Sequence, residues 1–170
     1  MNIVIFQLII KNGYFAIKIN HHKKKFAKKS FCGVIPIDYL PKTKLLKTCS
    51  FIVNTEDSSK SGKHWIAVYA PMRGSVEYFD PFGLEPSKIE ILDFIKLNKK
   101  RFIFNPHQIQ ASSSYNCGLF CIFYILFRSR GISMLKSLKF FSEISNLNDE
   151  IIKVIFKKLN LRIKIKYLFE

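Results

Sequence analysis

A thiol stands at the head of a long apolar run. Cys117-Gly118 opens the stretch Leu119 to Phe127, which reads as a buried helix, so the cysteine falls at a helix N-terminus. The unpaired backbone N–H groups and the positive end of the dipole favour a thiolate there. The partners that such a thiol needs all lie upstream: His64 beside Trp65, Asp80 at the end of a following strand, and Gln110 seven residues before the cysteine. A thiol, a base to hold its proton, a carboxylate to orient the base and donors for an oxyanion are the parts of thiol-based acyl transfer. In that chemistry Cys117 is the nucleophile, His64 the base and Asp80 its orienting acid. The Cys117 N–H and the Gln110 side-chain amide are the oxyanion donors.

Each residue also has an ordinary reading. A cysteine on an apolar helix is more often an inert core residue, which suits Cys121 better than Cys117. His64 alone is a strand residue, and Asp80 before Pro81-Phe82-Gly83 is a common turn residue. The joint occurrence in a workable order reverses the balance. Histidine occurs only at positions 21, 22, 64 and 107, so no base follows Cys117. A cysteine-first order would have to start at Cys32 with His64 or His107 downstream, and only Gln7 precedes it. His107 is a rival base that reads as a surface or cleft residue, and Gln108 is the rival oxyanion donor.

The elements that must position these groups follow from periodicity and punctuation. Phe31 begins the folded part, Asp38-Tyr39-Leu40 makes a turn or short helix between Pro36 and Pro41, and Phe51–Asn54 reads as a buried strand. Trp65–Tyr69 and Val76–Phe79 read as strands joined by a tight turn at 71–75. Apolar spacing predicts a helix over 87–98 with Ser87 as its cap, a strand at 101–104, then a loop with room for a short strand up to Asn116. Beyond Gly131, residues 132–142 and 148–159 look helical, the second capped by Asn146 or Asn148. Leu161 to Phe169 alternates with strand period, and Met1 to Ile10 is a strand or helix packed on the domain. The fold class is α+β, a small mixed or antiparallel sheet packed against helices, with a central buried helix starting at Cys117.

A chain of 170 residues, 48% hydrophobic, makes one domain with a proper core; residues 1–30 read as a basic N-terminal extension and 31–170 as the domain. The net charge is +16 from 28 basic and 12 acidic residues, which points to nucleic acid as a partner. Only Arg73, Arg101, Arg128, Arg130 and Arg162 among those bases are arginine, and Lys, Ile, Asn and Phe are all enriched, so codon bias explains the charge equally well. The run His21-His22-Lys23-Lys24-Lys25 is a solvated face or a nuclear-localisation or nucleic-acid patch. The four cysteines, at 32, 49, 117 and 121, show neither zinc spacing nor a disulfide framework, so the sequence predicts no metal, no disulfide and a reducing compartment. Met1 to Ile10 lacks a basic n-region and is too short to span a membrane, so no secretion and no anchor are expected. Monomer is the default.

At the residues just described the chain resembles the adenovirus-type cysteine proteases, within the clan that includes the SUMO-specific proteases. His64-Trp65 is similar to the family's His-Trp strand, Asp80-Pro81-Phe82-Gly83 to its acid-Pro-Phe-Gly turn, and Gln110 with Cys117-Gly118-Leu119-Phe120-Cys121 to its Gln-to-Cys-Gly block. Phe31-Cys32-Gly33-Val34 and Ile52-Val53-Asn54-Thr55 extend the likeness, which runs from about Phe31 to Gly131. The wording of Asp38-Tyr39-Leu40-Pro41 and Arg128-Ser129-Arg130-Gly131 is most similar to the proteases of Polinton or Maverick elements. The resemblance implies an endopeptidase without a cofactor, with His64, Asp80, Gln110 and Cys117 in the roles given above. Its implied substrates are viral or element precursor proteins of capsid type, cut after Gly-containing motifs, in the host nucleus or the virion. Asp80 departs from the adenoviral enzymes, which have Glu there, and agrees with the SUMO proteases. The resemblance also implies DNA as an activator. A disulfide-linked activating peptide is not carried over, because the position at the matching spacing is Lys99. A deSUMOylase or deubiquitinase, and a retired enzyme that only binds nucleic acid, are the alternatives.

Overall fold

Short runs of β-branched and aromatic residues pair into one five-stranded mixed sheet. The computed structural model describes residues 6–11 and 14–19 as backbone strands and residues 30–158. An antiparallel hairpin, β1 (Phe6–Lys11) and β2 (Tyr14–Ile19), lies within the basic extension. The sheet then runs in spatial order through β3 (Phe31–Pro36), β4 (Cys49–Asn54), β5 (Trp65–Ala70), β6 (Val76–Phe79) and β7 (Phe102–Phe104). The central β4–β5 and β5–β6 pairs are antiparallel; the outer β3–β4 and β6–β7 pairs are parallel. Parallel neighbours need crossovers. A 3₁₀ helix at Ile37–Lys42 lies on the first and helix α1 (Ile89–Leu97) on the second.

Both faces of the sheet are covered, which is why β4 and β6 are buried along their whole length. On one face, Phe51, Val53, Ile66, Val68 and Tyr78 pack with α1 and the 3₁₀ helix. On the other, Ile52, Ala67 and Phe79 pack against helix α2 (Cys117–Ser129). Buried residues cover most of the circumference of α2, so it is the central helix that its composition predicts. Its far end is fixed by Glu77 of β6, which accepts from Tyr124 Oη and pairs with Arg128 at 2.8 Å. Helices α3 (Met134–Leu138) and α4 (Ser145–Lys158) close that side.

Several local expectations are corrected. Cys32 and Cys49 are disulfide-bonded, with Cα atoms 5.6 Å apart on the neighbouring strands β3 and β4. Their separation of 17 residues carried no signal; a parallel pairing across a crossover brings them together. The bond also removes Cys32 as a nucleophile. Lys88 and not Ser87 precedes α1, with no side-chain cap. The 132–142 helix shortens to α3, capped by Ser133. Neither Asn146 nor Asn148 is a cap: both lie inside α4, Asn148 fully buried. No strand interrupts the loop at 105–116. The strand expected at 161–169 lies outside the described residues.

One glycine is required by a close approach. Gly83 has φ +70°, and a Cβ there would stand 2.6–2.7 Å from the backbone of His107 and Gln108. Gly83→Ala is expected to cost about 2 kcal/mol of unfolding free energy, because backbone and not a flexible side chain must yield. Urea unfolding measures it; a change within error of zero would mean that the 107–108 loop is free to move.

Candidate active site

The site is assembled from three places in the chain. His64 ends the loop before β5, and its carbonyl accepts from Thr55 N at 3.0 Å and Thr55 Oγ1 at 3.3 Å. Continuing the β5–β6 register past Ala67↔Phe79 by three residues carries His64 opposite Phe82. The two rings stack there, with centroids 4.9 Å apart. Asp80 follows β6 directly. Its Oδ1 accepts from His64 Nε2 at 2.9 Å and from the Phe82 N–H at 2.8 Å, so the Pro-Phe-Gly turn supplies both a donor to the acid and a ring for the base.

Nε2 is committed to Asp80, so Nδ1 is the nitrogen left for the thiol. It is buried without a well-formed hydrogen bond to another group. Cys117 nonetheless acts on the imidazole, both as a hydrogen-bonding partner and as a charge. Burial is the largest single influence on His64 and opposes its proton. The bonds to Asp80 and Cys117 and their negative charges outweigh it and raise the group from 6.5 to about 9. An imidazolium beside a sulfur is the arrangement of a thiolate–imidazolium pair.

Cys117 begins α2 and is 6% exposed. Cys121, one turn later, is fully buried and donates to the Trp65 carbonyl at 3.3 Å. Burial, with Cys117 and Asp80 nearby, pushes its thiol well up, so it remains an S–H that ties α2 to the start of β5. Gln110 is fully buried in the loop before the helix. Its Nε2 donates to the Ser114 carbonyl at 2.7 Å, leaving the second N–H of that nitrogen for another acceptor. Its Oε1 has no hydrogen-bond partner among the described residues. The rivals are placed otherwise. His107 is exposed, and Gln108 spends its amide on the Gln110 carbonyl at 2.7 Å and Ser112 Oγ at 3.1 Å.

Three buried residues that the sequence reading did not assign to the site hold this arrangement. Asn105 clamps the Asp80 backbone, accepting from its N–H at 2.8 Å and donating to its carbonyl at 2.7 Å. Asn148 donates to the Ile109 carbonyl at 3.0 Å. Asp149 accepts from Ala111 N at 2.8 Å, from Ser114 Oγ and from Asn116 Nδ2 at 2.7 Å. Pro81 joins the two halves by accepting from the N–H groups of Ile109 and Gln110 at 2.9 and 3.0 Å. No group of three or more His, Cys, Asp or Glu among the described residues could hold a metal ion.

Comparison with known proteins adds the following. The family profile for the adenovirus endoprotease matches residues 31–168. The SUMO-1 cysteine protease S273R of African swine fever virus (isolate Warthog/Namibia/Wart80/1980) is 29% identical over 98 residues, 51% of this chain and 36% of that protein. A protease of Bovine adenovirus 4 is 30% identical over 101 residues, half of each chain. The chain thus matches half or less of the length of these relatives. Among solved structures, the African swine fever virus pS273R protease superposes with a TM-score of 0.55 at 21% identity, over 79% of this chain and 61% of the other. That likeness shows a shared fold.

Proposed function

The chain belongs to the adenovirus endoprotease family, and from that premise we propose that it is a cysteine endopeptidase using Cys117, His64, Asp80 and Gln110. The observation that carries the reading is His64, bound through Nε2 to Asp80 at 2.9 Å and raised to about 9 with Cys117 among the causes. Peptidases of this family need no cofactor for catalysis.

In the reaction, the proton of the Cys117 thiol already rests on His64 Nδ1, and the thiolate sulfur attacks a peptide carbonyl carbon. A C–S bond forms and the carbonyl electrons move to oxygen. The Cys117 N–H and the free Gln110 Nε2–H stabilise that oxyanion. The His64 imidazolium, steadied by Asp80 and stacked on Phe82, protonates the leaving nitrogen as the C–N bond breaks. Water, deprotonated by the now neutral His64, then attacks the thioester; the carboxylic acid leaves and the thiol is restored.

The substrates of this reading are precursor polypeptides of an adenovirus-like virus or a Polinton-type element, of capsid type, cut after Gly-containing motifs. The near-complete burial of Cys117 supports a preference for a small residue such as glycine next to the cut. The places of action are the host nucleus and the virion, and duplex DNA is the candidate activator on account of the +16 charge. A second reading is cleavage of SUMO or ubiquitin conjugates; the name of the African swine fever virus relative favours its SUMO form.

Hydrolysis of a fluorogenic Leu-X-Gly-Gly peptide, with and without duplex DNA, tests the proposal. Cleavage supports the endopeptidase, and acceleration by DNA that salt abolishes makes the charge functional. Turnover of SUMO conjugates with inert peptides would move the enzyme to the second reading. Absence of both, with Cys117 unreactive to iodoacetamide, would leave a retired site.

A further inference from the structure

The segment from Gln110 to Cys117 joins the oxyanion donor to the nucleophile, and a single carboxylate from another element fastens it. Asp149 lies in α4, 4% exposed. Its three donors, Ala111 N, Ser114 Oγ and Asn116 Nδ2, all come from that segment. The first adjoins Gln110 and the last adjoins Cys117. The middle one belongs to Ser114, whose carbonyl holds the Gln110 amide at 2.7 Å and whose hydroxyl accepts from Asn116 N at 3.1 Å. Among the described residues Asp149 makes no salt bridge; Lys153, one turn on, pairs with Glu150 at 2.8 Å. Its hydrogen bonds come from loop donors alone, with Lys153 acting on it only as a nearby charge, and an acceptor-only group is what three converging donors require.

We propose that Asp149 is a positioning residue for the oxyanion site: it sets the distance and angle between the Gln110 amide and the first turn of α2. The proposal rests on the peptidase reading above. Asp149 touches neither His64 nor Asp80 in any recorded hydrogen bond or ion pair, so its influence runs through the oxyanion side and not through the thiol–imidazole pair. This separates it from a merely structural acid. A structural role would lower stability and all activities together. A positioning role would slow the step that needs the oxyanion and spare the reactivity of the sulfur itself.

Asp149→Asn is the chosen change, since an amide of the same shape keeps an oxygen for the Ala111 N–H and loses acceptor capacity for the other two donors. With the full chain and the Gly-Gly peptide, kcat should fall about 10- to 100-fold, with KM within about twofold. Alkylation of Cys117 by iodoacetamide, which builds no oxyanion, should stay within about twofold of the wild-type rate. In combination with Gln110→Ala the losses should not multiply: the double variant should be about as slow as Gln110→Ala alone. Glu150→Gln, the exposed neighbour, should behave as wild type. If Asp149→Asn does not fold, Ser114→Ala removes the central donor from the loop side and should lower kcat in the same selective way.

Unchanged kcat in the folded variant overturns the proposal. So does a fall in alkylation that keeps step with kcat, or a double variant whose loss is the product of the two. A wild-type protein that alkylates at Cys117 yet turns over no peptide or conjugate removes the peptidase reading instead, and the proposal falls with it.

Discussion

Replacing Cys117 with alanine is expected to reduce peptide hydrolysis below detection, a loss of about 10⁴-fold or more, while the protein stays folded. Alanine is the best helix former, and the change deletes one sulfur from the first turn of α2, so the helix itself should persist. What disappears is the only free thiol in contact with the imidazole: Cys32 and Cys49 are joined to each other, and Cys121 holds its proton and gives it to the Trp65 carbonyl. Cys121→Ala therefore makes the matching control. It should cost stability through a small cavity but retain turnover. Mass spectrometry after brief iodoacetamide treatment should find the label on Cys117 alone. Retained cleavage in Cys117→Ala, or its loss in a folded Cys121→Ala, would place the nucleophile elsewhere.

The candidate chemistry was more legible in the sequence than its support. His64, Asp80, Gln110 and Cys117 could be nominated because each is an uncommon side chain next to a strong local signal: a strand, an acid before Pro-Phe-Gly, and a cysteine opening an apolar run. Strands β4 to β6, α1 and α2 were legible for the same local reason. Asn105, Asn148 and Asp149 were not, because each works on backbone or side-chain groups 25 to 39 residues away. A lone Asn or Asp in a polar stretch announces no such partner. The disulfide was missed because it depends on the parallel β3–β4 pairing, a non-local event. The charge count was also blunter than the structure: Lys100 Nζ donates to the carbonyls of Pro71, Met72 and Gly74 at 2.6–3.3 Å, so that lysine braces the β5–β6 turn and is spent there.

Asp80→Asn separates the acid's electrostatic work from its structural work, and its expected effect is a loss of about 10³- to 10⁴-fold in kcat/KM near neutral pH. The backbone of residue 80 would stay where it is, because Asn105 holds its N–H and carbonyl and an asparagine oxygen can still accept from Phe82 N. The charge beside His64 would be gone. In the wild-type protein the imidazole is raised from 6.5 to about 9, with burial working against the proton and Asp80 and Cys117 prevailing. A raised cationic group contributes its stabilisation in full below 6.5 and loses it as pH rises through about 9. The same deprotonation takes away the acid that serves the leaving nitrogen. Wild-type kcat/KM should therefore hold through neutral pH and fall on the alkaline side near 9. Without Asp80, burial meets less opposition and the alkaline limb should move down toward 6.5. A pH–rate profile of both proteins, with an NMR titration of the His64 ring, measures the shift. A limb that stays near 9 in Asp80→Asn would show that the carboxylate is not what holds the proton on His64.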